Sequence, residues 1–296
     1  MGLFQWLWKG RQNPPAESPE QIVKLGDRHY IENSPYLLPK DDQEIDRLDH
    51  QHYIFRFLLH ENYLAPLQAP GRILDIGCGT GRWAIEMAKA FPSTEIVGLD
   101  IVKPTPDASQ RPSNVLFLQR DVLKGLPFTD RIFDYVHMRF LIGALPAANF
   151  QTVVNELSRV VRPGGWIELA EPASAFVNAG VGLETMWKWM TELAHRKGID
   201  LQAGNRLDKF LKEAKFEHIS KRQLEIPVGD YAGQIGHLSA QNILALVGAI
   251  QAPVIALNIA SAKEFVAMLG IAKTELARAN GNCVGHMNIA IAQRPS

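Results

Sequence analysis

Between residues 72 and 170, short apolar runs alternate with amphipathic stretches. Arg72 to Ile76, Glu95 to Leu99, Val115 to Leu118, Phe133 to Met138 and Trp166 to Ala170 read as buried strands. Arg82 to Phe91 reads as a helix stopped by Pro92. Phe150, Val153, Val154, Leu157, Val160 and Val161 trace the apolar face of another, broken by Pro163-Gly164-Gly165. Ile219 to Val228 and Met287 to Gln293 add two later strands. Strands separated by helices predict an α/β protein, a doubly wound, seven-stranded and mostly parallel sheet with helices on both faces.

The flanks follow other patterns. Asn13-Pro14-Pro15 and Ser18-Pro19 mark a linker, and Tyr30 to Pro39 reads as irregular. Asp41 then caps a helix, with Glu44 three residues on in a capping-box arrangement. Ile45, Leu48, His52, Phe55 and Leu59 form its apolar stripe, and the helix runs to about Tyr63. On the late side, Val181 to Lys197 and Arg206 to Ala214 read as helices, and residues 234–280 as apolar helix interrupted by Pro253. This divides the chain into a tail and helical lid (1–66) and a core (67–296) with insertions near 174–198 and 234–280.

Composition removes several function classes. Lys and Arg total 31 and Asp and Glu total 31, so no net charge favours nucleic acid. The two cysteines, Cys78 and Cys283, have neither metal-ligand spacing nor a disulfide framework, which points to a reducing cytoplasm and no metal. The apolar start, Met1-Gly2-Leu3-Phe4-Gln5-Trp6-Leu7-Trp8, is too short to span a membrane; a weak interfacial contact stays open. The sequence leaves the oligomeric state open.

The chemistry begins at Gly77-x-Gly79-x-Gly81, between a strand and a helix. Glycine lets the backbone turn tightly and approach a ligand closely. Alone, the loop fits a tight turn as well. Asp100 ends the second strand about 20 residues later, where an acid can hold two ribose hydroxyls; it also fits a helix cap or turn. Asp121, after the third strand, can accept from an adenine amino group, and the Val122 N–H can meet a ring nitrogen; the alternative is a solvated turn aspartate. A nicotinamide dinucleotide would need glycine where Arg82 stands. Asp75, two residues before the first glycine, can organise the loop and hold an amino group. The ligand that fits has an amino-acid end, a ribose and an adenine, without pyrophosphate.

Asp75-x-Gly77-x-Gly79-x-Gly81, Asp100, Asp121-Val122 and Arg162-Pro163-Gly164-Gly165 together resemble the successive motifs of class I S-adenosylmethionine-dependent methyltransferases. The resemblance covers about residues 70–171 and implies a Rossmann-like core with S-adenosylmethionine as cofactor. It implies that Asp75, Gly77, Gly79 and Gly81, with Cys78 between them, surround the methionine part. Asp100 would take the ribose, and Ile101, Asp121 and Val122 the adenine. A narrower resemblance, carried by Leu37-Leu38-Pro39-Lys40-Asp41, Glu44 to His52 and Asp134 to Phe140, is to a subgroup known from fungal regulators of secondary metabolism. That subgroup often has Trp after its late Pro-x-Gly; here Asp230 follows Pro227-Val228-Gly229.

Methyl transfer from a sulfonium is an in-line displacement that needs alignment and water exclusion, and a base only when the acceptor loses a proton. Ligands bind beyond the carboxyl ends of parallel strands. His137, Met138 and Arg139 stand at such an end. His137 and Met138 are candidate cofactor contacts and His137 also a candidate base, while Arg139 suits an acidic substrate or a structural pair with Asp134. Tyr36 and Gln51 are expected to close over the cofactor, and His52 to pack in the core. Glu171 is expected to face the acceptor, with Met186, Trp187 and Met190 as pocket walls. The expected activity is methylation of a small molecule such as a specialised metabolite. The alternatives are a regulatory protein that retains the cofactor site, or a methyltransferase acting on protein. Met138-Arg139-Phe140-Leu141 stands where many amino-methylating enzymes carry an Asn/Asp-Pro-Pro-Tyr motif, which argues against a base or amide nitrogen as acceptor.

Overall fold

The computed structural model describes Phe4 and residues 21–32, 34–102, 104, 111–173, 175–278 and 280–296. The Pro-rich linker and the rest of the apolar start lie outside the described residues. A hairpin, β1 (Ile22–Leu25) and β2 (Arg28–Ile31), precedes helix α1 (Asp42–Leu59). The core then runs β3 (Arg72–Ile76), α2 (Arg82–Ala90), β4 (Glu95–Asp100), β5 (Val115–Gln119), β6 (Phe133–Arg139), α3 (Phe150–Val160) and β7 (Val161–Pro172). Helix α4 (Val181–Arg196), α5 (Leu207–Glu213), β8 (Glu217–Pro227), α6 (Gly233–Ala249), α7 (Gln251–Ala256), α8 (Ala262–Leu276) and β9 (Val284–Gln293) complete it.

The seven-stranded sheet has the order β5-β4-β3-β6-β7-β9-β8, and only β9 runs against the others. From β3 the chain winds outward to β5, then returns to place β6 on the other side of β3. The gap above β3 and β6 is the topological switch point, where such sheets bind ligands. Side chains alternate along each strand. Leu74 and Val136 face the layer of α3 and α5, while Ile73 and Tyr135 pack with Trp83 and Met87 of α2.

Three expectations change. Tyr30 and Ile31, read as the start of an irregular stretch, end the hairpin β1–β2; its turn is Gly26-Asp27, with Gly26 at φ +62°, a conformation glycine supplies without strain. The Pro163-Gly164-Gly165 break lies inside β7, as a register shift against β6, and a Cβ on Gly165 would come within 2.9 Å of the Arg162 carbonyl. On α1, Ile45 is 47% exposed while Glu44 and Arg47 are buried. Asp41 does cap Glu44, but the Glu44 carboxylate turns to Arg47 instead of closing the box.

Helices α4, α6, α7 and α8 form a second apolar core. Residues Asp230–Ala256 are apolar and long enough to cross a membrane by length and composition, but they break at Ile250 between α6 and α7. Val247, Ile250 and Val254 pack into that core.

Candidate active site

A cavity of about 980 Å³ lies over the carboxyl ends of β3, β4, β5 and β6, roofed by α1 and the segment before it. Gly77, Gly79 and Gly81 all take positive φ, at +66°, +52° and +79°. A Cβ on Gly77 would stand 1.9 Å from the Leu141 side chain, and one on Gly81 2.6 Å from Phe117. Asp100 braces this loop: Oδ2 accepts the Gly79 N–H at 2.8 Å and Oδ1 accepts the Val102 N–H at 2.9 Å. Asp121 caps the short turn 122–124 by accepting the Leu123 N–H at 2.9 Å. Asp75, Cys78, Ile101, Asp121 and Val122 all line the cavity. Burial, with Asp100 and Asp75 beside it, holds the Cys78 thiol well above its ordinary pKa, so it stays protonated.

The lid is tied to the loop it covers. Asp49 of α1 accepts from the Thr80 hydroxyl at 2.6 Å and from Arg82 Nε at 2.9 Å. Lys197 donates to the Ser34 and Tyr36 carbonyls at 3.2 and 3.4 Å, holding the chain ahead of α1. Tyr36 and Gln51 line the cavity, in the region where the sequence expected them.

Strand alternation sorts the end of β6. His137 and Arg139 share the face toward α1 and α2, whereas Met138 points into the opposite core and is fully buried. Met138 therefore does not line the cavity, which corrects its assignment as a cofactor contact. Asp75 and His137 are register partners on adjacent strands, and the Asp75 carboxylate accepts the His137 Nδ1 proton at 2.8 Å. The His137 ring stacks on Trp83 with centroids 4.0 Å apart.

Arg139 does not pair with Asp134. The two occupy opposite ends of β6, five residues or roughly 17 Å apart. Asp134 instead accepts from the Gly71 and Arg72 N–H groups and from Arg162, fixing the far edge of the sheet. Arg139 lines the cavity, packs over Phe55 and Phe140, and donates from Nη2 to His52 Nδ1 at 3.0 Å. That bond puts the His52 proton on Nε2, 3.3 Å from Glu86 Oε2. Burial and the neighbouring Arg139 keep the His52 pKa low against the pull of Glu86. His52 thus lines the cavity in addition to packing in the core.

Glu171 lines neither of the cavities described here, contrary to its expected place at the acceptor. Its two oxygens accept the Leu141 and Ile142 N–H groups at 2.8 and 3.1 Å, which sets the turn that presses Leu141 against Gly77. Burial pushes its carboxyl up to about 8, against the two N–H donors and Arg139. An acid whose folded pKa exceeds its unfolded value keeps its proton longer in the folded state. Stability therefore falls as pH rises from about 4.5 through about 8, then levels. Glu171→Gln is expected to flatten this fall in urea denaturation followed from about pH 5 to about pH 9. An unchanged slope would assign the pH dependence to another group.

A second, smaller cavity of about 150 Å³ adjoins the first, and Tyr36, Leu48, Gln51 and Phe140 line both. Its walls come from α1, α4, α6 and the β8–β9 edge. Trp187 and Met190 are among them, with Trp187 edge-on to Phe176 at 5.0 Å. Met186 is fully buried and lines neither cavity. The sequence reading missed Arg47, Ser239 and Asn242, which give this cavity a polar corner. The Glu44–Arg47 spacing of three was a usable signal for Arg47.

Comparison with known proteins agrees with this architecture. A methyltransferase domain family matches residues 73–165, from β3 into β7. Methyltransferase pytC of Aspergillus terreus is 30% identical over 284 residues, covering 90% of this chain and 86% of its own. The secondary metabolism regulator laeA of Coprinopsis cinerea is 31% identical over 237 residues, covering 71% of this chain and 58% of its own. In fold, the chain is similar to the YcgJ protein of Bacillus, with a TM-score of 0.50 and 18% identity over 83% of this chain and 100% of that one.

Proposed function

Because the chain belongs to the S-adenosylmethionine-dependent methyltransferases, we propose that it methylates a small, largely apolar acceptor held in the 150 Å³ cavity. The observation that carries this reading is the adjoining pair of cavities, large and acidic beside small and apolar, with Tyr36, Leu48, Gln51 and Phe140 common to both.

The larger cavity fits the methyl donor. Among its described lining residues eight carry carboxylates and four carry Lys or Arg side chains, a balance suited to a cationic ligand and not to a pyrophosphate. Gly77 and Gly81 leave no room for a Cβ where the loop turns. In this reading Asp75, Gly77, Cys78, Gly79 and Gly81 hold the methionine end, Asp100 the ribose, and Ile101, Asp121 and Val122 the adenine. S-adenosylmethionine, when bound, supplies an electrophilic methyl group. The chain's own residues supply alignment and exclusion of water. Tyr36 and Gln51, on the lid, bound the passage between the two cavities.

His137 lines the donor cavity and not the apolar one, and its Nδ1 proton is given to Asp75. This favours a positioning role over a base. His137→Asn keeps an N–H for Asp75. It is expected to retain turnover at saturating donor within about tenfold, with an unchanged pH profile. A base would show a loss of roughly a hundredfold or more and a missing acidic limb.

The test of the function is incubation with methyl-labelled S-adenosylmethionine and a metabolite extract. Label in small molecules is the expected result. Label confined to protein would overturn the proposal and favour a protein substrate, and no label at all would favour a regulatory role.

A further inference from the structure

We propose that the acceptor fills the smaller cavity with a single ring, or a group of that size, and places a neutral oxygen function against Arg47, Asn242 and Ser239. The inference rests on the assignment of that cavity to the acceptor. A volume of about 150 Å³ walled by apolar side chains matches the size of cavity that takes one benzene ring. Phe55, Phe140, Trp187, Met190 and Leu246 supply such walls. A fused second ring would have to displace them or reach past Tyr36 and Gln51 into the larger cavity, where the donor would stand.

The polar corner decides the rest. Arg47 has five N–H donors. Nε and Nη2 donate to Glu44 at 2.9 and 2.6 Å, and Nη1 donates to Asn242 Oδ1 at 3.3 Å. Arg47 is 5% exposed, Asn242 9% and Ser239 2%. The Ser239 hydroxyl has no hydrogen-bond partner among the described residues. A buried hydroxyl left unpaired is costly, so this one is suited to an oxygen brought by a ligand. Among the described lining residues, Arg47 and the half-buried His286 are the side chains able to carry positive charge, and Glu44 already balances Arg47. A carboxylate placed against Arg47 would therefore bring a buried charge whose counter-charge is already taken by Glu44. A carbonyl, ether or hydroxyl oxygen would not.

The experiment titrates the full chain, saturated with S-adenosylhomocysteine, with acetophenone, ethylbenzene, benzoate and 2-acetonaphthone by calorimetry. Acetophenone is expected to bind about tenfold tighter than ethylbenzene, the difference one hydrogen-bonded oxygen supplies. Benzoate is expected to be weaker than acetophenone, and 2-acetonaphthone not to bind. Ser239→Ala is expected to bring acetophenone down to the level of ethylbenzene and leave ethylbenzene unchanged. Equal binding of acetophenone and ethylbenzene by the unmodified protein, tighter benzoate, or binding of the naphthyl compound would each overturn the proposal, whether or not the variant folds. Acetophenone is also expected to suppress methyl labelling of the extract. Normal discrimination without suppression would overturn the acceptor assignment itself while leaving the chemistry of the cavity as described.

Discussion

Asp100→Ala is expected to weaken S-adenosylmethionine binding by more than a hundredfold in calorimetry. Asp100 works twice. Its carboxylate holds the Gly79 and Val102 N–H groups, which shapes the rim of the donor cavity. In the proposed role it also takes the ribose hydroxyls. Hydrogen bonds to a charged group contribute about 1.5–3 kcal/mol each. Two of them lost on the ligand side amount to about 3 kcal/mol at least, and about 1.4 kcal/mol is a factor of ten. Loosening of the glycine loop adds to this, because Gly79 at φ +52° loses the partner that holds its N–H. Asp100→Asn, which keeps one acceptor oxygen, is expected to fall between the two. Unchanged affinity in the alanine variant would remove Asp100 from the donor site.

The parts of this site that were legible in the sequence are those carried by contiguous residues. The glycine loop, Asp75, Asp100 and Asp121-Val122 each lie at or just beyond the carboxyl end of a strand, so the strand pattern alone brings them to one edge. The helix α1 shows the limit. Its apolar stripe put Ile45 inward, yet Ile45 is exposed and Glu44 and Arg47 are buried, because each neutralises the other and an apolar count does not register that. The pairing of Arg139 with Asp134 and the place of Glu171 were misjudged for a related reason. Their partners, His52 and the Leu141 and Ile142 amides, lie on other elements and have no fixed sequence offset. Met138 was the avoidable error, since period-two alternation from His137 already turns it to the other face. The smaller cavity had no local signature, being assembled from α1, α4, α6 and the β8–β9 edge.

The Glu44–Arg47 pair should give the largest stability effect. Both side chains are almost fully buried and are joined in a two-point contact, with Asn242 of α6 as third member. Burial alone would lower the Arg47 pKa, but the hydrogen bonds and charge of Glu44 outweigh it and the net shift is upward, so Arg47 stays charged. Removing one partner strands the other charge without water. Glu44→Leu and Arg47→Met are each expected to cost about 3–5 kcal/mol in urea denaturation. The double variant Glu44→Leu/Arg47→Met leaves no charge behind, and is expected to cost far less than the sum, with a coupling of about 2 kcal/mol or more. A strictly additive cycle would mean that water reaches the pair and screens it. If the double variant folds well, what the 150 Å³ cavity lacks is Arg47, one of the three members of its polar corner. At saturating donor, where any loss of donor affinity from the missing Glu44 in the larger cavity is overcome, acceptor turnover is expected to fall, which would separate the pair's part in folding from its part in acceptor binding. A double variant that keeps both stability and turnover would leave the pair without a role at the acceptor.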